Sequence, residues 1–166
     1  QVRARARSPR TRRSTRAAVP LIEKAGLTRE QQTLFAAHVA RETGWGRSVW
    51  NNNFGNIKGA HLTTGRYYIL TDRLGFIDPY RSYESPEEGM ADNVDFVRLR
   101  KRYTGAWAKL QVCDPTWYST LGIEGYYEGP KDPKQPGVHQ PSTPESVVGP
   151  QREYDSILAR IRILIR

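Results

Sequence analysis

The sequence predicts a mostly helical α+β domain, and three observations carry that expectation. Two stretches, 28–43 and 85–102, open with the spacing of a capping box, and the first runs on in apolar residues without a breaker. One segment, 65–83, is rich in the aromatic and β-branched residues that strands favour and holds a turn of its own. The last stretch, 151–166, repeats apolar side chains at helical spacing. A chain of 166 residues is long enough for one domain with a real core. The expected division is an Arg-rich tail over 1–16, flexible or bound to a partner, and one domain over 17–166.

The elements follow in order. Residues 1–16 contain seven Arg and no acidic residue, the composition of a disordered basic tail. Without them, 19 Lys plus Arg stand against 17 Asp plus Glu, so the net charge of +9 is mostly the tail's. Its expected partner is anionic: nucleic acid, teichoic acid, anionic lipid or an acidic protein. It has no interleaved aromatic residues for base stacking. The alternative is a solvated linker to a neighbouring domain or larger assembly. The chain begins with Gln, which leaves a fragment or a processed product open. No apolar run is long enough for a membrane helix or a signal-peptide core. A lone cysteine, Cys113, excludes an internal disulfide framework.

Residues 17–26 read as a short amphipathic helix with Val19, Leu21 and Ile22 inward and Gly26 as its stop. The next helix has Thr28 and Gln31 at its start and Gly44 at its end. Its last residues are the centre of interest. Glu42 lies three residues after Val39, four after His38 and seven after Phe35, all on one helix face. A carboxylate there meets the negative end of the macrodipole and apolar neighbours, including Trp45. Both disfavour its charge. The expected result is an acid that keeps its proton near neutral pH, as a general acid for breaking a C–O bond must. The plainer reading is a Glu that pairs with Arg41 or Arg47.

Residues 48–59 form an Asn- and Gly-rich loop. Asn52, Asn53 and Asn56 have two readings, turn chemistry or hydrogen bonds to acetamido and hydroxyl groups of a sugar chain. Tyr67 to Leu70 and Phe76 to Tyr80 read as two strands joined by residues 71–75, which puts Asp72 near a hairpin tip. Ser85, Pro86 and Glu88 open the following helix, with Met90, Val94, Val97 and Leu99 expected inward. Shorter helices follow at 105–111 and 116–121. Trp107, Trp117 and Tyr118 read either as core or as the lining of a sugar groove. Residues 128–150 hold six prolines and read as an extended loop. Tyr154, Ile157, Leu158, Ile161 and Leu164 mark a docking helix. There is no H-E-x-x-H, no paired C-x-x-C and no phosphate loop, and His38, His61 and His139 are too scattered for a metal site. No metal or cofactor is expected.

Two blocks carry a resemblance. Glu42-Thr43-Gly44-Trp45-Gly46 is followed by Asn53-Phe54-Gly55-Asn56-Ile57-Lys58. Downstream stand Phe76 to Ser85, with Tyr80, Arg81 and Tyr83, then a helix bearing Asp92 and Phe96. Together they resemble the glucosaminidase domains of bacterial and phage cell-wall hydrolases, a family that includes the flagellar rod-cap hydrolase and many autolysins. Asn56 is a departure, since it interrupts the commoner Phe-Gly-Ile-Lys. The resemblance covers about 27–97 well and the rest weakly.

What it implies is specific. The fold would be lysozyme-like, a helical lobe and a small β-hairpin lobe flanking a substrate groove. The activity would be cleavage of a β-1,4 bond in peptidoglycan as an N-acetylglucosaminidase, outside the cell, in the periplasm, or at the wall or a virion. Glu42 would be the general acid and Asp72 the second catalytic carboxylate, with Asp78 as an alternative. Trp45, Asn52, Asn53, Phe54 and Tyr80 would bind the glycan. Tyr126, in Gly125-Tyr126-Tyr127, matches a late "G-Y-A" element except for its last residue. A lytic transglycosylase, a muramidase, or a wall-binding structural module on the same scaffold remain alternatives.

Overall fold

The computed structural model describes residues 2–3, 15–71, 77–127 and 140–164. Asp72, the hairpin tip, most of the Arg-rich tail and much of the Pro-rich loop lie outside the described residues. The chain forms two compact units, Gln1–Val94 and Asp95–Arg166. The class is α+β and mostly α, as the sequence predicts.

In the first unit, α1 (Thr15–Lys24) packs on α2 (Arg29–Glu42). Among the described side chains of α1, Ala18 and Ile22, one turn apart, are buried, and Val19 and Leu21 are only half-buried. The inward face is therefore turned slightly from the expected one. Gly26, with φ of 91°, ends this region. Thr28 then opens α2, its N–H donating to Gln31 Oε1 at 2.9 Å as a capping box requires. Every residue from Gln32 to Ala40 is buried. A helix covered all round is a core element. Its polar members are satisfied locally: Gln32 Nε2 donates to the Leu27 carbonyl at 2.7 Å, and Thr33 Oγ1 to that of Arg29 at 3.1 Å.

Three strands follow the order β1–β2–β3. The two-residue β1 (Val2–Arg3) runs parallel to β2 (Arg66–Thr71), and β3 (Ile77–Arg81) runs antiparallel to it with Tyr68 opposite Tyr80. The hairpin is the one expected from sequence; the pairing of Val2 and Arg3 with it is an addition. Helix α3 (Pro86–Arg98) starts at a local cap. The Glu88 N–H donates to Ser85 Oγ at 3.1 Å, and Glu88 Oε2 accepts from the Glu84 N–H at 2.7 Å. Met90, Val94 and Val97 are buried, but Leu99 is 72% exposed because the helix has already ended.

The second unit holds α4 (Thr104–Gln111), α5 (Trp117–Ile123) and α6 (Val148–Leu164), with a short 3₁₀ turn at Lys101–Tyr103. Its core is aromatic. Trp117 and Tyr118 are fully buried. Trp117 Nε1 donates to Tyr154 Oη at 2.8 Å, and Tyr118 stacks on Tyr154 with centroids 4.6 Å apart. Of the two readings open for these residues, they take the core one. Leu164, expected on the docking face, is instead 54% exposed.

Candidate active site

The end of α2 leaves four carbonyls without helical partners, and all four are satisfied. The Val39 carbonyl accepts from the Thr43 N–H at 3.0 Å and from Thr43 Oγ1 at 2.6 Å. The Ala40 carbonyl accepts from the Trp45 N–H at 2.7 Å, and that of Arg41 from the Gly44 N–H at 3.4 Å. The Glu42 carbonyl accepts from Asn56 Nδ2 at 2.6 Å. This closure requires three consecutive left-handed residues, Gly44, Trp45 and Gly46, with φ of 54°, 63° and 81°. Glycine adopts such angles freely, whereas tryptophan does so only where its surroundings compel it. Thr43 Oγ1 also accepts from the Gly46 N–H at 2.9 Å, locking the turn.

Glu42 is the last helical residue, and its side chain is 16% exposed. Arg41 Nη1 lies 3.8 Å from Glu42 Oε1. Partial burial and the helix end oppose the anion, and the guanidinium favours it. His38, one turn earlier, is fully buried and edge-on to Phe35 at 5.2 Å. Burial first, and the Arg41 charge second, push its imidazole down to about 3.

The loop after the turn is fastened to β3 and α3. Asn51 and Asn52 have φ of 47° and 59°. Asn51 Nδ2 donates to Ser82 Oγ at 3.1 Å, and Asn52 Nδ2 to the Tyr83 carbonyl at 3.2 Å. Asn53 is fully buried. Its Nδ2 donates to the carbonyls of Ile57 and Arg81, and its Oδ1 accepts from the Ile57 N–H at 2.9 Å. Its amide is thus engaged within the loop. Phe54 is also buried, at 3% exposure. The Arg81 N–H donates to the Ile57 carbonyl, the Gly59 N–H to that of Pro79, and Lys58 bridges to Tyr80. Tyr80 is half-buried and stacks on Tyr68 at 5.7 Å. Asp78, the alternative carboxylate, has its Oδ2 2.9 Å from Lys58 Nζ.

A charged group is tied to this frame through Arg81. Asp92 Oδ2 accepts from Arg81 Nη1 at 2.7 Å and from Tyr83 Oη at 2.5 Å. Burial, and next the Asp92 charge, push the Tyr83 phenol far up, so it remains a donor. Two glycines admit the close approach of loop and helix. A Cβ on Gly89 would meet the Asn52 carbonyl oxygen at 1.9 Å, and one on Gly55 would meet Asn93 Oδ1 at 2.3 Å.

The structure places Glu42, Trp45, Asn52, Asn53, Phe54 and Tyr80 in the first unit, where hydrogen bonds tie the Glu42 carbonyl to the loop through Asn56 and the loop to Arg81 and Tyr83. Tyr126 belongs to the second unit, in a cluster with Phe96 and Tyr103 at 5.8 Å each. Sequence reasoning missed the cap from Asn56 and the Arg81–Asp92–Tyr83 group. The signal for the first was Asn56 itself, an extra residue in an otherwise regular motif. Among the described residues, no group of three or more His, Cys, Asp or Glu gathers as a metal site, and no helix is long and apolar enough to cross a membrane.

No curated protein matches the chain in sequence. Solved structures do match its fold. A peptidoglycan hydrolase from Sphingomonas sp. A1 aligns over 93% of this chain and 94% of its own, with a TM-score of 0.63 and 20% identity. The glycoside hydrolase domain of FlgJ from Salmonella typhimurium aligns over 89% and 82%, with a TM-score of 0.58 and 19% identity. The glucosaminidase pattern, described as mannosyl-glycoprotein endo-beta-N-acetylglucosaminidase, matches residues 21–147. With most of its length matched, the chain belongs to the glucosaminidase family of glycoside hydrolases.

Proposed function

We propose that the chain cleaves the β-1,4 bond after N-acetylglucosamine in the glycan strand of peptidoglycan, with Glu42 as the general acid. The observation that carries this is the setting of Glu42. It is mostly buried and closes the central helix, whose last four carbonyls are all engaged. A proton donor must be held in place while charge develops on the leaving oxygen. The two solved structures above are of proteins that act on peptidoglycan or on glycosidic bonds, which supports this substrate class.

Glu42 gives its proton to the glycosidic oxygen as the C–O bond breaks. The sugar carbon, left with oxocarbenium character, is attacked from the opposite face. Asp72 is our candidate for activating the attacking water. The substrate's own acetamido oxygen is the other nucleophile consistent with the chemistry, and then no second carboxylate is needed. A carboxylate separation of roughly 6.5–9.5 Å suits the first route. Trp45, Asn52 and Tyr80 are assigned to glycan contact; Asn53 and Phe54 act by holding the loop. The site of action is the wall itself, outside the cytoplasmic membrane.

The test is digestion of purified peptidoglycan by wild type and E42Q, with mass analysis of the fragments. Loss of a general acid lowers turnover by about 10²–10⁴-fold. N-acetylglucosamine at the new reducing ends is expected. Undiminished activity in E42Q removes Glu42 from the mechanism. N-acetylmuramic acid ends would identify a muramidase, and anhydro sugars a transglycosylase.

A further inference from the structure

The second unit carries a feature that glycoside cleavage does not use. Residues 98–109 include Arg98, Arg100, Lys101, Arg102 and Lys109 and no acidic residue. Arg98, Arg100, Lys101 and Arg102 are exposed. Three of the guanidinium groups lie over rings: Arg100 over Phe96 at 3.9 Å, Arg102 over Tyr103 at 5.4 Å, and Arg98 over Trp107 at 6.0 Å. Nearby carboxylates leave much of this charge unmatched. Asp95 pairs with Arg98. Glu124 accepts from the N–H groups of Gly105 and Ala106 at 3.0 and 3.1 Å, and Arg102 Nε donates to its carbonyl, not its carboxylate. Arg100 and Lys101 have no acidic partner among the described residues.

From this we infer that the surface around Arg98 to Arg102 docks a linear, phosphate-bearing polyanion that carries no bases. Arg100, whose guanidinium lies 3.9 Å over Phe96, has no acidic partner among the described residues, and the edge donors of a guanidinium grip phosphate bidentately. Four cations fall within five residues, a reach of at most about 17 Å. A partner must match that density, which a chain with one charge per unit does. Single-stranded nucleic acid fits less well. It binds through bases stacked on aromatic faces, and here Phe96 is covered by Arg100 while Tyr103 is buried. The inference does not depend on the identity of the bond that Glu42 helps to break.

The test uses the full chain and long-chain inorganic polyphosphate, with affinity measured by titration from 50 to 300 mM NaCl. Each lost phosphate contact flattens the plot of log K against log salt by about 0.7–0.9. For R100Q/K101Q the slope is expected to fall by about 1.4–1.8. R100K keeps the slope and binds more weakly, because the stacked fork is gone. A tail variant, R10Q/R12Q/R13Q, separates the contribution of residues 1–16. Far-UV circular dichroism checks that each variant folds. An unchanged slope and affinity in R100Q/K101Q, with all binding lost in the tail variant, overturns the assignment. So does tighter binding to single-stranded DNA, to polyglutamate of equal length, or to vesicles of anionic phospholipid than to polyphosphate.

Discussion

A buried histidine that stays neutral makes stability depend on pH in a calculable way. His38 is fully buried, and its imidazole is pushed from 6.5 to about 3. In the unfolded chain it protonates near 6.5. Between these values the unfolded state binds a proton that the native state refuses, so acid favours unfolding. The contribution is complete above pH 6.5 and is lost as pH falls toward 3. Each unit of pH costs about 1.36 kcal/mol, so moving to pH 4.5 removes about 2.7 kcal/mol through this side chain alone. His38→Gln abolishes the titration and leaves the carboxylates unchanged. The assay is urea unfolding of both proteins at pH 7 and pH 4.5. Whatever H38Q costs at pH 7, its loss on acidification should be smaller than that of wild type by about 2.7 kcal/mol. Equal losses in the two proteins would show that His38 is protonated in the native state, and would refute the argument.

Two further predictions concern the frame around Glu42. Asn56→Ala orphans the Glu42 carbonyl and puts a Cβ-bearing, cap-less residue at φ of 48°. Stability should drop by about 2–4 kcal/mol from the lost partner and the strain, and kcat should fall at least tenfold because the acid's anchor is released. Asn56→Gly, free of strain, should recover stability more than kcat; equal recovery of both would count against the anchoring role. Gly89→Ala tests the contact with Asn52. Helix propensity alone predicts a gain of about 1 kcal/mol. The 1.9 Å approach to the Asn52 carbonyl predicts a loss of about 1–3 kcal/mol instead, so the sign of the change in thermal midpoint decides between them.

What could be read from the sequence was local. The capping residues Thr28, Gln31, Ser85 and Glu88 and the stop at Gly44 act within one turn, and their spacing announces them. The position of Glu42 on α2 followed from the same periodicity. Leu99 was misplaced because periodicity does not say where a helix stops, and α3 stops at Arg98. The bonds from Asn56 to Glu42 and from Asn53 to Arg81, and the approach of Gly89 to Asn52, are tertiary. An asparagine side chain offers the same donor and acceptor to a sugar, a turn or a distant strand, so its residue type could not choose among them. Trp117 and Tyr118 were ambiguous for a related reason, since a ring suits a core and a sugar face equally well.

The close wrapping of residues 43–46 around the end of α2 has a consequence for redesign. With those backbone donors already committed, this stretch tolerates neither insertion nor deletion without moving Glu42, the proposed proton donor. If the proposed site is correct, variation in which sugars are accepted enters outside this turn, through side chains such as that of Tyr80. A library that randomises such side chains while leaving the collar intact should retain turnover far more often than one that changes its length.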